Sequence, residues 1–381
     1  MIKFEELKTI HIELSSACNA ACPVCPRNVD GGYTVPGLIT RTMSYDDFVK
    51  IFNEETSKQL DKILMCGNYG DPIFCKEIPD ILEYLKMQNP NLLISIHTNG
   101  GIRSPEWWKR LGSINPKLSV TFSVDGLEDT NHIYRRGVIW ERLKENMQSF
   151  IDGGGNAVWE FLIFKHNQHQ IDEARELSEK MGFSAIRFKR PFGFDTPLQG
   201  FSAMRVLDKK GDIDYFIEQS SDKNFNNDIF TNEKNTKHVD TLPMESYEWR
   251  LDNNNKFTEL VLKEHGERFV DLDGTEISCM TKNNKEIYID SNGNVHPCCF
   301  LGIGSQNVSL DLNNVQYNKW LEKNIDLEKT NAKNYTVKQI LETDFLSKIE
   351  KLWELSHCNG RLTTCTSMCL KNKSPRDILY I

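Results

Sequence analysis

Short apolar runs alternate with amphipathic stretches along the first half of this chain. The runs at residues 10–14, 63–66, 92–97, 118–124, 158–164 and 186–189 are mostly rich in β-branched or aromatic side chains. Gly, Asn, Asp or Pro bounds each of them, which is the pattern of strands. Between the runs lie segments of helical period with readable ends. Ser44 and Asp47 resemble a capping box ahead of Phe48, Ile51 and Phe52. Ser104 and Pro105 supply an N-cap and a first-turn proline before Trp107, Trp108 and Leu111. A helix over 170–181 stops at Gly182, and one over 139–151 runs into Asp152 and the glycines at 153–155. Six strand-and-connection units predict an α/β fold with a parallel sheet and right-handed crossovers. Six are too few for a full eight-unit barrel. The expected architecture is a partial (β/α)6 TIM-type barrel with its functional loops at the carboxyl ends of the strands.

From about Gly200 the periodicity decays. The stretch 209–256, rich in Asn, Asp, Lys and Ser, reads as a mixed insertion, because structureless loops of that length are uncommon. A second compact unit begins near Ile277. There 286–289, Asn292-Gly293 and 295–300 read as a hairpin, since Asn-Gly suits a tight reverse turn, and helical stretches follow around 337–355. The expected organisation is residues 1–200 as partial barrel, 201–275 as insertion or linker, and 276–381 as a small α+β domain.

Composition narrows the function classes. With 39% hydrophobic and 26% charged residues the chain can build a core without staples. It shows neither an apolar membrane span nor a secretory signal, so a cytoplasmic protein is expected, with no membrane partner. A net charge of −8 leaves no electrostatic footprint for bulk nucleic-acid binding. Eleven cysteines, an odd count in a chain without an export signal, point to metal ligands or catalytic groups over disulfides.

Three of them lie on one loop, Cys18-Asn-Ala-Ala-Cys22-Pro-Val-Cys25, directly after the first predicted strand. Iron–sulfur cubanes are normally held by four thiolates, so three leave one iron open for a substrate. Zinc would need a fourth ligand and usually takes paired cysteines. His11 is the candidate for that ligand, although strand alternation makes it a packed or solvated side chain.

Cys-x3-Cys-x2-Cys after strand one of a β/α repeat resembles the radical S-adenosylmethionine (SAM) superfamily over about residues 9–190. The resemblance implies a [4Fe–4S] cluster on Cys18, Cys22 and Cys25 that cleaves SAM reductively, and an electron donor such as flavodoxin or ferredoxin. Gly67-Asn68-Tyr69-Gly70-Asp71-Pro72 resembles the family's Gly-Gly-Glu-Pro element, which holds the SAM amino group, with Asp71 in place of Glu. Asn99, in Thr98-Asn99-Gly100, closes the third strand as is common in the family. By the same resemblance Ser123 and Asp125 contact the SAM ribose or methionine end, and Arg135 or Arg136 the carboxylate. An arginine fork suits that group. The residue before the third cysteine is usually aromatic and packs on adenine. Here it is Val24, which implies weaker stacking.

The second group, Cys279, Cys298, Cys299, Cys358, Cys365 and Cys369, resembles a SPASM or twitch auxiliary-cluster domain. Adjacent cysteines rarely both reach one cluster, so about five ligands remain, enough for one auxiliary [4Fe–4S] cluster and too few for two. The expected set is Cys279, Cys298, Cys365 and Cys369, with Cys358 able to displace Cys365. A zinc ribbon would use the same four thiolates. Cys66, Cys75 and Cys299 read as buried thiols.

The resemblance implies a peptide, protein or small-molecule substrate. Trp107, Trp108 and Tyr134 read equally well as an exposed interaction surface or as packing. No leader-binding domain is expected ahead of strand one. Transfer RNA is an alternative substrate on the strength of Arg187-Phe188-Lys189-Arg190 alone. A non-catalytic iron–sulfur or zinc scaffold is the alternative from another class.

Overall fold

All six strands expected from the apolar runs form, within two residues of their expected ends. The computed structural model describes residues 2–191, 194, 203–225, 276–303, 312–356 and 359–369. The strands are β1 (Thr9–Ile12), β2 (Lys62–Met65), β3 (Leu93–Thr98), β4 (Leu118–Ser123), β5 (Asn156–Leu162) and β6 (Ala185–Lys189). They pair in parallel in chain order.

Period-two alternation divides the sheet into two faces. Ile63, Met65, Ile94, Ile96, Val120, Phe122, Trp159 and Phe161 are buried in the core cluster. His11, Leu64, His97, Ser123 and Glu160 alternate with those positions and share the opposite face. Glu160 of β5 lies within electrostatic reach of Cys66 beyond β2, three strands away, so the sheet curls toward this face.

The helices follow their sequence signals. Ser44 Oγ accepts the Asp47 N–H at 3.1 Å and caps α1 (Tyr45–Ile51). Ser104 caps Pro105–Ile114, and Gly182 ends Ile171–Met181 in the left-handed conformation at φ 88°. Pro105–Ile114 packs against Trp140–Asp152 with almost no gap. A Cβ on Gly112 would stand 2.2 Å from the Phe150 carbonyl oxygen. Gly112→Ala therefore forces two backbones apart, and we expect it to cost about 1–3 kcal/mol, read as a lower urea midpoint with an unchanged slope.

Trp108 and Tyr134 take the packing alternative and not the exposed surface. Trp108 is fully buried against Phe122 and Phe150, and its indole N–H donates to the Ile102 carbonyl at 2.9 Å. Tyr134 is buried against Phe164. Trp107 packs on the core edge and donates to the Lys76 carbonyl. A large ring gains more from burial than exposure at a helix start can offer.

Two features lay outside the sequence pattern. Residues 203–218 form a hairpin of β7 (Ala203–Leu207) and β8 (Ile213–Glu218), turned by Asp208 and Gly211. The C-terminal hairpin, β9 (Glu286–Ile289) and β10 (Val295–His296), also extends the main sheet. β9 lies parallel to β1, and β10 pairs antiparallel outside it, giving eight strands. The expected helical stretch follows as Val337–Leu341, Phe345–Lys351 and a turn over Leu352–Glu354. Among the described residues no helix is long and apolar enough to cross a membrane.

Candidate active site at the three-cysteine loop

The backbone leaving β1 stays buried through Glu13, Ser15 and Ser16 before it reaches the cysteines. Cys22 is buried, and Cys18 and Cys25 are half-buried. Nitrogen donors aim at two of the sulfurs. Cys18 Sγ accepts from the Ala20 N–H at 3.4 Å and from Asn99 Nδ2 at 3.5 Å, and Cys22 Sγ accepts from Arg135 Nη1 at 3.6 Å. Burial pushes the Cys18 thiol up, with Asp71, Cys22 and Cys25 adding to it, and burial plus Cys22 pushes Cys25 up to about 12. The three thiols therefore lie within electrostatic reach of one another. The fit is to a cubane, whose thiolates bind separate irons and whose sulfurs take N–H donors.

The loop after β2 closes one side of the site. Asp71 is buried, accepts the Asn99 N–H at 2.7 Å and the Ile73 N–H at 3.2 Å, and caps a short turn that starts at Pro72. Burial raises its carboxyl, and the hydrogen bond from Asn99 works against that. Gly70 lies on the chain leaving β1, where a Cβ would sit 2.0 Å from the Ser15 carbonyl oxygen. What holds this loop carries no local sequence signal. Glu13 Oε1 accepts the N–H groups of Tyr69 at 2.7 Å and Gly70 at 3.0 Å, and Oε2 meets the Tyr288 hydroxyl of β9 at 3.3 Å.

Burial raises the Glu13 carboxyl from 4.5 to about 7, with the two loop N–H groups opposing and Asp290 adding to the rise. The folded state thus binds a proton more tightly than the unfolded one, and this group's contribution to stability falls as pH climbs from about 4.5 to 7. Glu13→Gln keeps the acceptor and cannot ionise. We expect it to flatten that part of the stability–pH curve, by about 1–3 kcal/mol, in urea unfolding at several pH values.

Asp125 and Arg135 form the opposite wall. Arg135 Nε meets Asp125 Oδ2 at 2.5 Å, and Asp125 Oδ1 accepts the Leu162 N–H at 2.6 Å. Burial would lower Arg135, but Asp125 and Cys22 outweigh it and hold the guanidinium charged. Arg136 turns elsewhere, donating to the Leu207 carbonyl and pairing with Asp214 at 2.9 Å on the β7–β8 hairpin. That hairpin is also tied to the segment beyond Cys25 by Arg205–Asp30 at 2.6 Å. Ser123 ends β4 opposite Glu160, and Val24 packs half-buried on the core. The structure thus brings Gly70, Asp71, Asn99, Asp125 and Arg135 around the cysteine loop, whereas Arg136 touches the loop only through its carbonyl and turns its side chain away.

Residues 12–178 match the family model of the radical SAM superfamily. This chain carries a radical SAM domain. The FeMo cofactor biosynthesis protein NifB of Methanocaldococcus jannaschii is 26% identical over 199 residues, 46% of this chain and 65% of that protein. The tungsten-containing aldehyde ferredoxin oxidoreductase cofactor-modifying protein of Pyrococcus furiosus is 23% identical over 192 residues, 47% and 50% of the two chains. The matches thus span less than two thirds of these curated relatives. The solved structure of hexahistidine-tagged anSMEcpe with bound AdoMet superposes with a TM-score of 0.50 at 16% identity, covering 92% of this chain and 81% of that one, a likeness of fold.

Beyond the radical SAM domain, Cys279, Cys298, Cys365 and Cys369 line one small cavity of about 30 Å³, walled by Ile349, Trp353 and other apolar side chains. Burial pushes the Cys365 thiol up to about 12, and a hydrogen bond from Cys369 brings Cys279 down to about 6. Cys358 lies outside the described residues. Cys299 and Cys75 are buried thiols, while Cys66 is half-buried on the concave face.

Proposed function

We propose that this chain is a radical SAM enzyme that abstracts a hydrogen atom from a substrate held in the concave face of its partial barrel. The observation that carries this reading is the three-cysteine loop at the mouth of that face, with Asn99 and Arg135 donating to its sulfurs. A [4Fe–4S] cluster on Cys18, Cys22 and Cys25 would supply the electron that splits SAM into methionine and the 5′-deoxyadenosyl radical. The chain's own residues bind and orient. The backbone at Gly70, held by Glu13, and the Asp71–Asn99 contact shape the pocket for the SAM amino group. Arg135 faces the SAM carboxylate, and Asp125 acts through Arg135, since both its oxygens are already engaged. Ser123 reaches the ribose, and Val24 covers the adenine.

The cavity shared by Cys279, Cys298, Cys365 and Cys369 supports one auxiliary [4Fe–4S] cluster in a SPASM- or twitch-like unit. The substrate is a peptide, a protein side chain or a small molecule. RNA is disfavoured because Glu160 holds Lys189 and Arg190 donates to the Asn224 carbonyl, which leaves Arg187 as a single exposed cation and not a patch. Anaerobically reconstituted protein, given SAM and a strong reductant, is expected to release 5′-deoxyadenosine. Its absence across reductants and candidate substrates overturns the reading.

A further inference from the structure

The concave face holds a charged group that the SAM-binding residues leave unused. Lys189 Nζ pairs with Glu160 Oε1 at 2.6 Å, and both side chains are largely buried. Arg187 Nη1 stands 3.5 Å from the same oxygen, and its side chain remains 52% exposed. Register explains the grouping. Glu160 is the direct cross-strand partner of Arg187 on one side and of Ser123 on the other, so the row continues from the SAM ribose position. His97 of β3 is within electrostatic reach of Glu160, Lys189 and Arg187, and burial lowers it to about 4, so it is neutral at pH 7. One carboxylate therefore faces two cations, with one positive charge in excess. The excess sits on Arg187, whose planar fork makes no hydrogen bond among the described residues. A guanidinium of this kind matches carboxylate and phosphate oxygens in pairs.

We propose that Arg187 and Lys189 form an anion subsite that receives a carboxylate or phosphate group of the substrate and so fixes its orientation beneath the SAM position. This rests on the proposed function and adds to it the class of substrate. Glu160 holds Lys189 in place and competes with the incoming anion for it. That competition gives the subsite a signature that a purely structural ion pair lacks. Removing the carboxylate strengthens anion binding, whereas removing the arginine fork weakens it.

The test uses anaerobically reconstituted, SAM-loaded full-length protein, titrated with inorganic phosphate and separately with succinate. Ionic strength is held constant with chloride, and thermal midpoints are read. At least one of the two anions is expected to raise the midpoint. Arg187→Gln should weaken its apparent affinity by about tenfold, Glu160→Gln should strengthen it, and Arg142→Gln, an exposed helix position, should leave it unchanged. Phosphate alone points to a phosphorylated substrate, and succinate alone to a carboxylate. Should neither anion bind, or should Arg187→Gln and Arg142→Gln behave alike, the subsite is overturned. Formation of 5′-deoxyadenosine in the same preparations keeps that outcome separate from a failure of the radical SAM assignment.

Discussion

Replacing Cys18, Cys22 and Cys25 together by alanine will abolish 5′-deoxyadenosine formation and lower the iron content from roughly eight to roughly four per chain, one cubane of two. The variant will still fold. The loop is anchored by backbone contacts that do not involve sulfur, including Ala21 N–H to the Arg136 carbonyl at 2.8 Å and Asp71 N–H to the Ala17 carbonyl at 2.8 Å. Arg135 loses its sulfur contact but keeps Asp125, so no buried charge is left without a partner. Far-ultraviolet circular dichroism and the urea slope check the fold, and iron and sulfide analysis checks the clusters. A companion change, Cys365→Ala, should lower iron by the other half while the wild-type rate of SAM cleavage largely persists. Unchanged iron in the triple variant would overturn the cluster assignment. Zinc as the remaining metal would overturn only the auxiliary cluster.

Much of this was legible because the signals are local. Short apolar runs bounded by turn residues marked β1 to β6, and Ser44, Ser104 and Gly182 marked helix ends through contacts no more than a turn away. The cysteine loop was legible from spacing. What stayed hidden depends on distant pairing. Nothing in residues 286–289 shows that β9 lies parallel to β1, since its partner is far away along the chain and both strands are short and apolar. Glu13 was hidden for the same reason. A carboxylate after a strand reads as a polar position, and only the returning loop supplies the two N–H groups that make it a buried clamp. Arg135 and Arg136 are adjacent on a turn, so sequence could not assign their roles. Asp125 and Asp214 separate them in space. The β7–β8 hairpin was missed because its strands are short and the second leaves apolar side chains such as Ile213 and Phe216 exposed, so its pattern does not divide into a buried and a solvated face.

Arg135→Leu is the single substitution expected to cost most. Asp125 is fully buried, and its carboxylate is balanced by this guanidinium at 2.5 Å. Burial already raises Asp125, and Arg135 is the largest influence acting against it. Removing the arginine strands a charge in a site of low polarity, a change that typically costs about 3–5 kcal/mol. Asp125 will respond by taking up a proton, so the loss will be greater at pH 8 than at pH 5. Stability and SAM binding then separate in the double variant. Arg135→Leu with Asp125→Leu removes both charges and should recover part of the stability, because replacing a buried pair with apolar groups is often neutral. It cannot recover the fork proposed to face the SAM carboxylate, so SAM affinity should stay at least about tenfold weaker in both variants. Urea unfolding and equilibrium SAM binding, measured on the two singles and the double, complete the cycle. If SAM affinity returns together with stability in the double variant, Arg135 serves the fold alone and the SAM carboxylate is held elsewhere.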